Sequence, residues 1–150
     1  METNTGRANA ADAETLTTAQ CWDHLRRGVV GRLAVVHGGR PDIFPVNFAV
    51  DHGTVVFRTG SGSLFASSAG QAVAFEVDGY AVADANAWSV VIRGAAREIV
   101  HVDEALEAMR LPLYPWHEGP KPRFVRIEPD SISGREFQVR GGHMEPGREA

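Results

Sequence analysis

Two β-rich runs on either side of one tight turn constrain this chain more than anything else in it. Asp42-Ile-Phe-Pro-Val-Asn-Phe-Ala-Val and Thr54-Val-Val-Phe-Arg-Thr flank Asp51-His52-Gly53, a hairpin pattern whose turn needs the permissive backbone of Gly53. The second run ends in Arg58-Thr59 and enters Gly60-Ser61-Gly62-Ser63-Leu64, just before an Ala/Ser-rich helical stretch. Such a loop offers backbone N–H groups, hydroxyls and one cation to a phosphate, so it reads as an anion cradle. Each residue also has a plainer reading: Arg58 as a surface strand residue, the Gly/Ser run as a connector.

More elements of the same kind surround the hairpin. Thr17 and Thr18 are helix caps for Ala19–Arg27, in which Cys21, Trp22 and Leu25 share a face, and Gly28 closes that helix. Val29–Val36 is a strand and His37–Pro41 a turn. Ser61–Gly70 is a short helix of small residues, Gln71–Val77 an alternating strand, and Asp78–Ala87 a loop. Trp88–Val100 is a long strand with a bulge or bend expected at Gly94. Asp103 caps a helix over Glu104–Arg110, and Leu111–His117, broken by two prolines, is a lid or packing loop. Lys121–Glu128 and Ile132–Val139 are the last two strands. Six or seven strands with short turns and three short helices predict a mainly β fold, an antiparallel barrel rather than an alternating parallel sheet.

Composition narrows the function. The 150 residues are 43% hydrophobic and 23% charged, enough for one domain with a real core. A net charge of -4 argues against a nucleic-acid partner, which needs a basic face. One cysteine, Cys21, leaves no internal disulfide; with no apolar run for a membrane, the expected compartment is the cytoplasm. Residues 1–15 are expected to be a disordered leader, residues 16–139 the folded domain and residues 140–150 a polar tail. The six histidines are scattered, with neither His-x-x-x-His nor Cys-x-x-Cys, so no metal site is expected. Gly60-Ser61-Gly62-Ser63 is neither a nucleophile elbow nor a P-loop. What remains suits a planar phosphorylated cofactor: Arg58, Thr59, Ser61, Gly62 and Ser63 for the phosphate, and Pro45, Val46 and Asn47 for a flat polar ring.

The ordered set Gly31-Arg32-Leu33-Ala34-Val35, Pro45-Val46-Asn47-Phe48, Val56-Phe57-Arg58-Thr59, Val73–Asp78 and Ala87–Gly94 resembles the pyridoxamine 5'-phosphate oxidase-like flavin-binding split-barrel family. The likeness spans about Leu16 to Phe137 and is closest to short bacterial members related to nitroimidazole-reductase-like proteins. It implies a six-stranded antiparallel split β-barrel, a homodimer, and FMN in a groove between subunits. It places Pro45, Val46 and Asn47 along the isoalloxazine edge, Phe57, Arg58 and Thr59 at the ribityl-phosphate end of the next strand, and Ser61, Gly62, Ser63 and Leu64 in the phosphate loop. Trp88 and Ser89 begin a strand that approaches the flavin from the partner subunit. Relatives carry a lysine where this loop has Leu64, and losing that charge weakens a phosphate contact by about 1.5–3 kcal/mol. The implied activity is FMN-dependent oxidoreduction of a small molecule, with Trp88, Tyr114 and Trp116 as aromatic walls. The rivals are a deazaflavin cofactor, held with help from Arg32, Arg40 and Lys121, and a flavin-binding protein without turnover. Vitamin B6 synthesis is not implied, because the substrate-phosphate arginines and C-terminal motif of true pyridoxamine phosphate oxidases are missing.

Overall fold

The computed structural model describes residues 13–113 and 122–139. Seven strands and three helices follow in the order β1 (Ala13–Thr15), α1 (Thr18–Arg27), β2 (Val30–His37), β3 (Arg40–Asp51), β4 (Thr54–Thr59), α2 (Ser63–Ser68), β5 (Ala72–Ala81), β6 (Asn86–Glu98), α3 (Val102–Ala108) and β7 (Arg123–Gln138). The sheet order is β1-β7-β4-β3-β2-β5-β6, and β6 also pairs with β7. Strands β2 to β7 therefore close into a six-stranded antiparallel split barrel, with β1 an added edge. Closure removes the exposed ladder edges that an open sheet of this size would carry.

Alternation fills the barrel. Leu33, Val55, Phe57, Phe75, Val90, Ile92, Val125 and Ile127 are fully buried, each stabilising the fold by about 1.5–3 kcal/mol relative to exposure. Phe48 meets Phe75 edge to face, centroids 5.0 Å apart. Cys21 and Leu25 of α1 plug one end of this core. A smaller outer cluster of Val56, Ile99, Ala108 and Phe124, joined by Leu111 and Leu113, seats α3 on the other face of β4 and β7.

The hairpin turn forms as the sequence predicts, with His52 and Gly53 both at positive φ and Asp51 paired with Thr54, a two-residue connection matched to strand twist. Thr17 caps α1 in a reciprocal capping box with Gln20. The bulge expected at Gly94 is a register shift between Arg93 and Gly94. A Cβ on Gly94 would lie 2.0 Å from the Glu128 carbonyl oxygen, so the strands can cross this closely only without a side chain.

Four expectations change. Ala13–Thr15, assigned to the leader, pair with Arg135–Phe137 as β1; the rest of the leader, residues 1–12, and the tail, residues 140–150, lie outside the described residues. Asp78–Ala81 and Asn86–Ala87 are strand, not loop. Asp78-Gly79 reads as a breaker, but Gly79 faces Trp88 across the ladder and a Cβ there would fall 2.5 Å from the indole nitrogen. The two final strands are one, β7, which passes Pro129 at the bulge, where a missing donor breaks no rung. Helix α3 starts at Val102 with His101 at its N-cap, so Asp103 lies in the first turn and makes no cap.

Candidate functional site

The split in the barrel is local to the organising hairpin. Strand β3 pairs with β4 from Asp51↔Thr54 to Phe48↔Phe57, where the ladder stops. Beyond it β4 continues against β7, with Arg58↔Phe124 and Thr59↔Arg123, while β3 continues against β2, with Asn47↔Val30 and Pro45↔Arg32. The next rung, Asn47 opposite Arg58, is not made. The two residue groups that sequence reasoning assigned to ring and phosphate therefore stand on the two lips of this opening.

Period-two alternation decides what each lip presents. Val46, Phe57 and Thr59 turn into the barrel and are at least nine-tenths buried, so the side chains of Val46 and Phe57 belong to the core and only their backbone can meet a ligand. Pro45, Asn47 and Arg58 face outward. The Arg58 guanidinium lies 4.7 Å from the centre of the Phe124 ring, a cation–π contact that holds it along the outer face. Asn47 is the anomaly. Its Nδ2 and Oδ1 are both shielded from solvent, and neither has a hydrogen-bond partner among the described residues. A buried amide left in this state costs about 1–3 kcal/mol for each unsatisfied group. Such sites in native folds call for an explanation.

Past Thr59 the chain makes the Gly/Ser loop. Ser61, Gly62 and Ser63 are exposed, and Gly62 has open space above its Cα. Helix α2 spans only six residues and Gly62 gives it no side-chain cap. The hydroxyls of Ser67 and Ser68 are turned back onto the Ser63 and Leu64 carbonyls at 2.6 and 2.7 Å. Leu64 is half buried and packs on the main core, so this position adds no charge to the loop. A second guanidinium does. Arg123, the first residue of β7, donates from Nε to Ser61 Oγ at 2.9 Å and from Nη1 to Glu98 at 2.9 Å. It also lies over the Phe65 ring at 4.4 Å. Sequence reasoning missed Arg123 because 62 residues separate it from Ser61, and no local pattern marks it.

The remaining assignments divide. Trp88 stacks on His24, centroids 4.1 Å apart, and Trp88 and Ser89 lie on β6, which pairs with β5 and β7; one chain does not bring them to the β3–β4 opening. Of the cations proposed for a longer acidic cofactor, Arg32 and Arg40 are not gathered. Arg32 is held by Glu76 and Asp78 at 2.8 and 2.9 Å, and these carboxylates, Asp78 foremost, tighten its hold on its proton. Arg40 pairs with His37 at the far end of the β2–β3 hairpin. Lys121, Tyr114 and Trp116 lie outside the described residues. A cavity of about 280 Å³ opens beside β3 beyond the end of β2, lined by Arg26, Arg27, Val29, Ala49, Val50 and Pro112 among others. Its lining includes Ala49, which is two residues from Asn47 on the same face of β3. Among the described residues no group of three or more His, Cys, Asp or Glu could hold a metal, and no helix is long and apolar enough to cross a membrane.

The residues present fit a flavin. Its pyrimidine edge alternates acceptor and donor atoms, which complements one carboxamide carrying one of each, and the Gly/Ser loop with its two flanking guanidiniums suits a phosphate.

The chain is 41% identical over 86 residues to the uncharacterized protein Rv3129 of Mycobacterium tuberculosis, a match covering 57% of this chain and 76% of that one. Two solved structures superpose well. The FAD binding protein from Mycobacterium smegmatis is 35% identical with a TM-score of 0.75, covering 83% of this chain and 98% of that one. A FAD-binding protein from Mesorhizobium loti is 25% identical with a TM-score of 0.75, covering 85% and 98%. With the sequence pattern of the pyridoxamine 5'-phosphate oxidase family matching residues 17–136, the chain belongs to that family.

Proposed function

We propose that this protein binds FMN at the β3–β4 opening and serves as a flavin-dependent oxidoreductase on a small molecule. The observation that carries the reading is Asn47: a carboxamide with both ends unsatisfied, placed across the split from Arg58. A ligand that supplies one acceptor and one donor there recovers the cost of leaving them unmet. A bound flavin supplies hydride chemistry at its ring, and the protein's part is placement. Asn47 and the Pro45–Asn47 backbone would hold the ring edge. Arg58, the Thr59 backbone and the Ser61–Ser63 loop would hold the phosphate. The cavity beside Ala49 would leave room for a substrate against the ring, and the partner subunit of a homodimer would bring Trp88 and Ser89 to the groove. Two relatives named for FAD binding favour a second reading, in which the same rim grips the first phosphate of FAD.

Absorbance and titration test both. Purified protein is expected to be yellow or to bind FMN saturably, and a nicotinamide donor should bleach the bound flavin. Arg58→Ala should weaken FMN about ten- to a hundredfold. FAD binding tighter than FMN selects the second reading. Binding with no reduction by any nicotinamide donor leaves a flavin carrier, and no binding of any flavin or deazaflavin overturns the proposal.

A further inference from the structure

We infer that Arg123 supplies the phosphate countercharge that Leu64 cannot, so that the cofactor phosphate is gripped between two guanidiniums on opposite sides of the Thr59–Ser63 loop; this rests on the flavin reading above. Thr59 pairs with Arg123 and Arg58 with Phe124, so alternation sends the two arginines to opposite faces. Arg58 lies along the outer face on Phe124. Arg123 approaches the loop from the other side and is anchored three ways, by Ser61 Oγ, by Glu98 and by the Phe65 ring. These anchors use Nε and one N–H of Nη1. Among the described residues nothing takes the other N–H groups of the fork, which are left to bond an anion in the geometry that suits phosphate oxygens. The guanidinium is thus ordered before any ligand arrives, which lowers the entropy lost on binding.

The loop needs this charge. Helix α2, at six residues, is too short to act as an anion site, and Leu64 packs into the core. Lysine at the Leu64 position would reach the phosphate on a flexible stem; Arg123 reaches the same loop from a strand. Glu98 sets the strength of the grip. Its carboxylate holds Arg123 in place at 2.9 Å but also offsets part of its charge, so neutralising it should tighten phosphate binding. A merely structural Arg123, tying α2 to β6 and β7, makes the opposite demand: loss of either partner loosens the loop and weakens every flavin alike.

Comparing FMN with riboflavin separates these cases, because the two differ only by the phosphate. Affinities of apoprotein for both are measured by flavin fluorescence, for wild type, Arg123→Gln, Glu98→Gln and Arg123→Gln/Leu64→Lys, alongside melting temperatures. Wild type is expected to prefer FMN. Arg123→Gln should cut that preference about tenfold with riboflavin affinity unchanged, Glu98→Gln should raise it, and Leu64→Lys should restore it in the double variant. A preference for FMN that survives Arg123→Gln, or falls in Glu98→Gln, overturns the role of Arg123 and leaves the flavin reading standing. Equal wild-type affinity for FMN and riboflavin overturns the role of Arg123 and leaves the flavin reading standing, whereas binding of no flavin or deazaflavin overturns both. Should Arg123→Gln fail to fold, the sign of the Glu98→Gln effect decides alone.

Discussion

Two arginines three residues apart on β7 sit in regions of opposite character. Arg126 is in the seam between the sheet and α3, where its side chain is 8% exposed. It bonds Asp51 at 3.0 Å, Thr54 Oγ at 2.7 Å and Glu104 at 3.2 Å, and Glu104 is also bonded by Arg97 at 2.8 Å. Acids and bases there are matched, and the whole seam locks the hairpin turn to α3. Arg123 is at the rim beside an exposed loop, anchored but with donors to spare, and on the far lip of the opening the amide of Asn47 is unmet. A region whose polar groups satisfy one another holds a fold together. One that leaves them incompletely satisfied is shaped for something that arrives from outside.

The contrast breaks most visibly at Arg126. Arg126→Met should leave the Asp51 and Glu104 carboxylates without their shared cation and cost about 3 kcal/mol, read as a lower urea midpoint, with the FMN preference over riboflavin intact. The same variant should change the acid limb. Burial pushes the Glu104 carboxyl up, but hydrogen bonds and charge from Arg97 and Arg126 outweigh it and hold it below the ordinary range. A carboxyl lowered on folding adds stability above its unfolded pKa of about 4.3 and loses it as pH falls through the folded value. Arg126→Met should therefore flatten the loss of stability below about pH 4. If it leaves the urea midpoint where it was, the seam is decoration.

At the rim the sign reverses. Asn47→Leu replaces an unsatisfied amide with an apolar side chain suited to a strand, and should raise stability by about 1 kcal/mol while weakening flavin binding. A destabilised Asn47→Leu would mean that the amide already has its partners.

The smallest effect tests a third cluster of intermediate kind, Arg32 shared by two acids. Burial, then a hydrogen bond and charge from Asp78, raise the Glu76 carboxyl against the pull of Arg32. A carboxyl raised on folding gives its full contribution below the unfolded pKa and loses it as pH rises through the folded value. Asp78→Asn should move the Glu76 titration, followed by carboxyl NMR, down toward the ordinary range, with a stability change of a few tenths of a kcal/mol at this half-exposed site.

Much of this was legible in the chain. The hairpin, its turn at Gly53, the bulge at Gly94, the capped first helix and the buried Cys21 follow from local rules of backbone freedom and alternation. Apart from the cap of α3, which is local, the clearest errors share one cause. Asp78-Gly79 reads as a break until Trp88 is known to lie across from Gly79, and Ala13–Thr15 read as leader until Arg135–Phe137 are there to pair with them. In each case the deciding partner is distant in sequence, so no window along the chain contains it. The site divides in the same way. Asn47, Arg58 and the Gly/Ser loop are adjacent along one hairpin and could be named from it, whereas Arg123 could not, and the inward turn of Phe57 and Val46 follows only once the face of the sheet is known.

The sequence by itself determined an antiparallel β fold with an anion-suited loop at one strand end, because alternation, turn chemistry and glycine placement act over a few residues. Only the tertiary structure decided that the β3–β4 ladder stops at Phe48 and Phe57, leaving Asn47 without a rung to Arg58, and that β7 delivers a second guanidinium to the loop. Those outcomes depend on which strand each edge meets when the barrel closes, and closure is set by contacts between residues far apart along the chain.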